Sequence, residues 1–181
     1  MEINRLKLEG TFEVIPKIIG DSRGYFAETY LQAEFERHDL SFDWVKENRS
    51  ISTRMHTLRG LHFQVPPAAQ TKLVSVMQGR ILDVFVDIRK GSATFGKWDS
   101  IELDEEKCNA VLIQRGFAHG FWTLTECVVV HYKVDNPYNA EADRGIIWND
   151  HDLKIDWPTD DPLLSDRDKS LSGFAGFESP F

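Results

Sequence analysis

The sequence predicts an all-β domain, either a sandwich or a barrel, with a few short helices. Runs rich in β-branched and aromatic residues recur along the chain, and only one stretch has helical spacing. Turn signals separate these runs about every 8–12 residues, which is typical of sandwiches and barrels.

One helix and one pair of strands are predicted in the first half of the chain. Residues 28–40 are the helical candidate, because Leu31 and Phe35 have the spacing of a short amphipathic segment. Residues 71–89 form two β-rich runs divided at Gly79, which predicts a β-hairpin.

The second half of the chain continues the same pattern. Residues 97–105 and 109–138 are a series of short strands and turns. The Pro- and Asp-rich stretch 157–170 carries Trp157 and Leu163, which a free tail would expose. We therefore expect a loop there that packs back on the core.

Length and composition fit one globular domain that spans residues 1–181. The chain has 41% apolar and 28% charged residues, with no repeat, low-complexity tract or linker. Its 21 basic and 29 acidic residues give a net charge of 21 − 29 = −8. An acidic chain is a poor candidate for nucleic-acid binding, because phosphate binding requires a basic face.

Cysteine number and hydropathy indicate the compartment. Cys108 and Cys127 are the two cysteines, and their spacing suggests reduced thiols rather than a disulfide framework. The N-terminus lacks an apolar signal-peptide core, and no apolar run approaches the roughly 18 residues of a membrane helix. We expect a cytoplasmic protein with no membrane span.

Polar residues in apolar strands indicate a second, functional face. In the stretch TLRGLHFQ (57–64), alternation places His62 and Gln64 on one face and Leu61 and Phe63 on the other. The runs 82–88 and 127–134 divide in the same way. The face with polar groups is either the lined interior of an open barrel or the solvent side of a sheet, and alternation alone does not distinguish them.

Four residues are candidates for acid–base chemistry, and each has a structural alternative. His62 has the titration range of a general base, although a lone strand histidine is more often structural. Tyr132 is a candidate proton donor or a core aromatic residue. Lys72 is a candidate oxyanion stabiliser or a surface lysine. Asp168 is a candidate partner that orients an imidazole, or a loop cap.

Other chemistries have little support in the sequence. Metal-binding β-barrels offer a His-x-His pair, whereas the matching triplet here is His62-Phe63-Gln64, and Gln is a poor ligand. The GxGxxG, P-loop, HExxH and GxSxG patterns are absent from the sequence. We therefore expect neither a metal nor an organic cofactor.

Eight stretches together resemble one known family. They span nearly the whole chain in the family's order: DSRGYFAETY (21–30), ENRSIS (47–52), LRGLHFQ (58–64), KLVSVMQGRILDVFVDIRKGSATFGKW (72–98), GFAHGFWTL (116–124), YKVDNPY (132–138), GIIWND (145–150) and IDWPTDDPLLSDRD (155–168). On these residues the chain resembles the dTDP-4-dehydrorhamnose 3,5-epimerases.

The resemblance implies a fold, an assembly and a reaction. The fold is a cupin-like double-stranded β-helix, or jelly roll, and the assembly is a homodimer. The reaction inverts C3 and C5 of dTDP-4-keto-6-deoxy-D-glucose through an enolate, without metal or organic cofactor, in dTDP-L-rhamnose biosynthesis. A monoepimerase, a non-catalytic sugar-binding jelly roll and a metal-dependent cupin remain as alternatives.

The resemblance also implies roles for particular residues. The base, acid, enolate stabiliser and partner of the base fall on His62, Tyr132, Lys72 and Asp168. Substrate contacts fall on Arg23, Phe26, Glu28, Asn48, Arg59, His119 and Tyr138. Three further contact positions depart from the family pattern: Lys46 stands for a Gln, Asp143 for a Glu and Arg167 for a Lys. Of these, the charge change at Lys46 bears on nucleotide recognition.

Overall fold

The computed structural model describes residues 1–181, which form thirteen β-strands and two short helices. This content confirms the all-β prediction. In chain order the elements are β1 Glu2–Arg5, β2 Thr11–Ile15, β3 Ile18–Asp21, β4 Gly24–Ala27, α1 Gln32–Glu36, β5 Lys46–Ser52, β6 Leu58–Gln64, β7 Lys72–Gln78, β8 Arg80–Asp87, β9 Trp98–Asp104, β10 Ala110–Ile113, β11 Phe117–Thr123, β12 Val128–Val134, β13 Asp143–Gly145 and α2 Asp166–Lys169.

Two antiparallel sheets share one apolar core. The six-stranded sheet has the order β1-β2-β10-β7-β12-β5, and the five-stranded sheet has the order β13-β6-β11-β8-β9. Val76 and Val130 of the first sheet pack in one cluster with Phe85 and Phe121 of the second. The chain crosses repeatedly between these two sheets, which confirms the jelly-roll expectation.

The predicted hairpin over residues 71–89 is wrong. Both strands exist, but β7 belongs to the six-stranded sheet and β8 to the five-stranded sheet. Gly79 is the only residue between them and has φ +79°, and a Cβ there would lie 2.5 Å from the Thr125 hydroxyl. One residue cannot form the two-residue loop of a tight hairpin. It makes a corner that sends the chain into the opposite sheet.

The strands that alternate polar and apolar residues differ in which faces are buried: β8 is buried on both faces, and β12 on one. On β8, Phe85 faces the core between the sheets, whereas Val84 and Val86 pack in a second cluster with Leu153, so neither face meets solvent. On β12, the apolar face with Val130 points inward, and the other face is partly exposed. The interior is therefore apolar, with a few polar groups set into it.

A short helix lies inside the stretch predicted to be helical, and a second helix lies where none was predicted. Of residues 28–40 only Gln32–Glu36 is helical; Phe35 is the one buried residue of this helix, and Leu31 before it is exposed. The stretch 157–170 packs against the core as expected, but it also contains α2. None of the helices has the length and apolar character to cross a membrane.

Candidate active site

A cavity of about 560 Å³ opens between the two sheets and is lined by apolar and polar side chains. Its apolar walls come from both sheets, including Val74 and Val130 of the first and Phe63 and Phe121 of the second. Nine of the predicted site residues line it: Arg59, His62, Lys72, His119, Tyr132, Tyr138, Asp143, Arg167 and Asp168. Residues far apart in sequence thus meet in one small, partly dry space.

His62 and Asp168 form a hydrogen-bonded pair in this cavity. The Nε2 of His62 lies 2.6 Å from Oδ1 of Asp168, which is 3% exposed. Burial raises the pKa of the Asp168 carboxyl, but its hydrogen bond with His62 and the charge there lower it more, so the net pKa lies below the ordinary value. Asp168 is therefore an anion at neutral pH. The carboxylate accepts a hydrogen bond from the Nε2–H of His62, which leaves Nδ1 of that ring as the basic nitrogen.

Local contacts position Asp168 beside His62. The Ser165 hydroxyl accepts a hydrogen bond from the Asp168 backbone N–H and caps α2. Leu163, two residues before the cap, forms a parallel bridge with Thr57, the residue that precedes β6. The C-terminal segment is thereby docked beside the strand that carries His62.

Lys72 places an ammonium in the wall of the six-stranded sheet. Burial lowers the pKa of Lys72 to about 8, because the charged form loses water, while the carboxylates of Asp83 and Asp143 oppose this effect. The side chain is thus a cation below pH 8 and a neutral amine above it. A cation in a low-dielectric wall is suited to stabilising negative charge on a substrate oxygen.

Tyr132 lies on β12 of the same sheet as Lys72. Burial raises the pKa of its phenol, and the nearby charge of Arg59 only partly offsets this. The hydroxyl therefore remains protonated at physiological pH and is available as a proton donor. His62, on β6, faces the cavity from the other sheet.

A second histidine–carboxylate pair lies deeper in the wall. The Nε2 of His119 is 3.0 and 2.9 Å from the two oxygens of Asp83, whose side chain has no exposed surface. His119 pairs directly with His62 across β11 and β6. Burial lowers the pKa of His119, and the charges of Lys72 and His62 lower it further, whereas Asp83 opposes these effects.

The remaining charged groups are held at fixed positions around the cavity. Arg59 donates hydrogen bonds to the Ser52 hydroxyl and the Ile51 carbonyl, at 3.2 and 3.1 Å. The Arg167 guanidinium lies 2.8 Å from Asp143, to which the Tyr138 hydroxyl donates at 3.1 Å. Arg167 is thus paired with a carboxylate, whereas the hydrogen bonds of Arg59 go to neutral groups.

Five predicted contact residues do not line the cavity. Arg23 and Phe26 lie on the exposed β3–β4 hairpin and Glu28 just beyond it. Lys46 begins β5, with its Nζ 6.0 Å from the centre of the Tyr138 ring, and Asn48 pairs with Tyr132 across the sheet. Within a single chain, the structure therefore brings together only part of the predicted set.

The structure also places residues in the site that the sequence reasoning missed. Asp83 could have been noticed, because a carboxylate in the apolar run ILDVFVD needs a partner. Ser50 lines the cavity with a buried hydroxyl that has no protein partner. Nothing in the sequence distinguishes Ser50 from an ordinary strand serine.

Gln64 has a structural part in the site. Its amide donates to the carbonyls of Ala68 and Pro137, at 2.7 and 3.1 Å, and accepts from the Asn139 N–H at 2.7 Å. Gln64 therefore ties two loops to β6.

No three His, Cys, Asp or Glu side chains converge as a metal-binding group.

The fold and cavity define the class of protein: a cupin-like jelly roll whose pocket is equipped for acid–base catalysis. The sequence model for dTDP-4-dehydrorhamnose 3,5-epimerase matches residues 5–176. A relative from Pseudomonas aeruginosa with that name is 44% identical over 179 residues, which cover 97% of each chain. The chain belongs to the dTDP-4-dehydrorhamnose 3,5-epimerase family.

Solved structures agree with this membership. The dTDP-4-dehydrorhamnose 3,5-epimerase from Bacillus anthracis, with TDP and PPi bound, has a TM-score of 0.93 and 42% identity, covering 95% of this chain and 98% of its own. The dTDP-6-deoxy-D-glucose-3,5-epimerase from Legionella pneumophila, in complex with dTDP-4-keto-L-rhamnose, has a TM-score of 0.90 and 37% identity, covering 95% and 92%.

Proposed function

We propose that this chain inverts C3 and C5 of dTDP-4-keto-6-deoxy-D-glucose to give dTDP-4-keto-L-rhamnose, in dTDP-L-rhamnose biosynthesis. The observation that carries the proposal is the position of His62 and Tyr132 on opposite sheets that face one cavity. Inversion requires proton removal from one face of a carbon and delivery to the other. A base and an acid on opposite walls meet that requirement.

The C4 ketone makes both reaction centres acidic. C3 and C5 flank this carbonyl, so loss of either proton gives an enolate with its charge on the C4 oxygen. Nδ1 of His62 removes the proton, and Asp168 stabilises the imidazolium that forms. Tyr132 then delivers a proton to the opposite face of the carbon.

Lys72 is proposed to stabilise the enolate oxygen. One well-placed donor of this kind typically contributes about 3 kcal/mol to the transition state. The chemistry needs no electron transfer and no activated water, so these side chains suffice without a metal or organic cofactor. The joint presence of base, acid and ammonium in one cavity supports catalysis over simple sugar binding.

The nucleotide is proposed to bind at the arginine-rich part of the cavity. Arg59 and Arg167 supply guanidinium groups that suit a diphosphate. Tyr138 has a ring that suits stacking on a base or sugar, and Lys46 lies beside that ring. The Lys46 ammonium adds positive charge where the family pattern has a neutral amide.

We also propose that the protein acts as a homodimer in the cytoplasm. Arg23, Phe26 and Glu28 are predicted substrate contacts, yet they lie outside the cavity of their own chain. Phe26 is 65% exposed and its cross-strand neighbour Ile19 is 56% exposed, so this apolar pair has no cover within one chain. A second copy would cover it. The compartment is supported by two free cysteines, which suit reducing conditions.

The dimer proposal predicts an effect of polar changes on the hairpin. The double substitution Ile19→Ser and Phe26→Ser removes the apolar pair, and we expect the measured mass in light scattering to fall from two chains to one. Phe95→Ser, at an exposed apolar position outside the hairpin, is the control and should leave the mass unchanged. A monomeric starting protein, or a dimer indifferent to the double change, would contradict the proposal.

The proposed role of Lys72 predicts a loss of activity at alkaline pH. Because burial lowers its pKa to about 8, the ammonium is present below this pH and is lost as the pH rises through it. We expect kcat/KM to fall about tenfold per pH unit above 8. Initial rates from pH 6 to 10 measure this. Activity that stays level to pH 10 would show that a cationic Lys72 is unnecessary.

Proton NMR in deuterium oxide tests the function itself. With dTDP-4-keto-6-deoxyglucose, we expect loss of both the C3 and C5 proton signals. A coupled reductase that yields dTDP-L-rhamnose then shows inversion at both carbons. Exchange at one carbon alone would indicate a monoepimerase, and exchange at neither would indicate a different nucleotide sugar or a protein that only binds.

A further inference from the structure

We propose that Asp150, which does not line the cavity, is a positioning residue: it anchors the segment that follows α2 and thereby holds the Asp168 carboxylate against His62. The positioning stands on hydrogen bonds within the chain. Only its effect on turnover rests on the proposed function.

Asp168 lies in a segment that the apolar core holds weakly. Among residues 154–181 it is the only buried residue, with 3% of its surface exposed, and it is a carboxylate. The apolar side chains of the segment, such as Trp157 and Phe174, are only partly buried. α2 itself is a single turn, and a helix of that length is not stable alone. Contacts on either side of α2 must therefore fix the position of Asp168.

The contacts on either side of α2 are made by the backbone. Before α2, Leu163 is joined to the chain around the start of β6 by hydrogen bonds of 2.8 and 3.0 Å. After α2, Ser172 forms a parallel bridge with Ile146, the residue that follows β13. The ion pair of Arg167 with Asp143 adds little, because 47% of the arginine side chain is exposed. The second contact is a single bridge, so it depends on what holds the chain beyond Ser172.

Asp150 holds the chain beyond this bridge with both of its carboxylate oxygens. Oδ2 accepts a hydrogen bond from the Phe174 N–H at 2.7 Å, and Oδ1 accepts from the N–H groups of Asp152 and Leu153 at 2.9 and 3.1 Å. Gly173 permits this approach, since a Cβ there would lie 3.0 Å from Oδ2. Hydrogen bonds to an anionic oxygen are stronger than those between neutral groups. The carboxylate therefore joins its own loop to the segment after α2.

The loop that carries Asp150 is also joined to the strand of the base. Ile146 exchanges two backbone hydrogen bonds with Leu61, at 3.0 and 3.2 Å, and Leu61 directly precedes His62 on β6. The base and its carboxylate partner are thus both held to one loop. Backbone bonds make the link to His62, whereas the link to Asp168 includes the Asp150 side chain, so one substitution can weaken it selectively.

The first test is the tautomer of His62, which needs no substrate. Ring ¹⁵N shifts distinguish a proton on Nε2 from one on Nδ1, and His62→Asn identifies the signals by their absence. In the neutral ring of the unmodified protein we expect the proton on Nε2, because Asp168 accepts it at 2.6 Å. In Asp150→Ala we expect the ring shifts to move toward those of Asp168→Ala, where the acceptor is gone.

Asp104→Ala is the matched control. Asp104 and Asp150 are both 9% exposed, and the Asp104 carboxylate also accepts a backbone N–H, that of Glu106, at 2.8 Å. It lies at the end of β9 and has no contact with α2. Its loss should leave the ring shifts of His62 unchanged. Wild-type ring shifts in Asp150→Ala, folded by circular dichroism, would overturn the proposal.

Hydrogen exchange on the unmodified protein keeps the proposal testable if Asp150→Ala does not fold. Amides that are released in one opening event exchange with one free energy. If the Phe174 bond to Asp150 holds α2, its opening should also release the Asp168 N–H from the Ser165 hydroxyl. The Asp168 amide should therefore be no better protected than that of Phe174. Much slower exchange at Asp168 than at Phe174 would overturn the proposal.

Kinetics show whether Asp150 acts through Asp168. Asp150→Ala should lower kcat with little change in KM, because Asp150 does not line the cavity. In an Asp168→Ala background the same substitution should lower kcat no further, because the contact that it secures is already lost. An equal fall in both backgrounds would indicate a general structural effect and overturn the proposal. A changed tautomer with an unchanged rate would support the positioning and contradict the proposed role of His62 as the base.

Discussion

Replacement of His62 by Asn should lower deuterium exchange at both C3 and C5 by about 10³-fold or more, since general-base catalysis commonly contributes between about 10² and 10⁴. Asn retains a polar group beside Asp168 but has no basic nitrogen. Exchange at both carbons should fall together, because a single imidazole serves both. Time-resolved proton NMR in deuterium oxide measures the two rates separately.

The control for this change is His131→Asn. His131 is on the outward face of β12, where it contacts Glu47 instead of the cavity. This variant should exchange both protons at the wild-type rate. If His62→Asn exchanged either proton normally while remaining folded by circular dichroism, His62 would not be the base at that carbon.

Replacement of Tyr132 by Phe should separate proton removal from inversion. His62 and Asp168 remain, so the enolate still forms and C3 and C5 still exchange with solvent. The opposite wall has lost its donor, and protons return from the side of His62. We expect epimerisation to fall by about 10²-fold or more while exchange is reduced far less.

The measurement is the configuration of the recovered sugar together with its deuterium content. Retained configuration with deuterium at C3 or C5 is the expected result. Tyr30→Phe, at a tyrosine outside the cavity, is the control and should epimerise normally. Equal loss of exchange and inversion in Tyr132→Phe would place Tyr132 in proton removal instead of proton return.

The elements of this fold were more predictable than their pairing. Alternation in residues 71–89 identified β7 and β8, because each strand presents a regular apolar face. It did not show that Gly79 turns the chain into another sheet. A hairpin and a corner between two sheets have the same local sequence pattern of strand, glycine and strand. Packing against residues distant in sequence, such as Val128, decides between them.

The site was predictable in part for the same reason. His62, Lys72 and Tyr132 are polar side chains in apolar strands, a pattern that a local reading detects. Their convergence depends on how the strands are distributed between two sheets, which no local pattern contains. The carboxylate of Asp83 in an apolar run was a signal, but no local pattern shows that its partner is His119, which is 36 residues away. The predicted contact residues on and beside the β3–β4 hairpin lie outside the cavity of their own chain, and no local pattern predicts that placement.

The distance between the proposed base and acid is set by the filling between the sheets. His62 is carried by one sheet and Tyr132 by the other, and Val76 and Phe85 belong to the apolar cluster that packs between the two sheets. Well-packed interiors transmit changes of a single methylene, and reacting groups lose much of their effect when displaced by about 1 Å. We therefore expect core side chains remote from the sugar to influence the stereochemical outcome. We expect a substitution that changes core volume to alter the spacing of base and acid without altering any group that touches substrate.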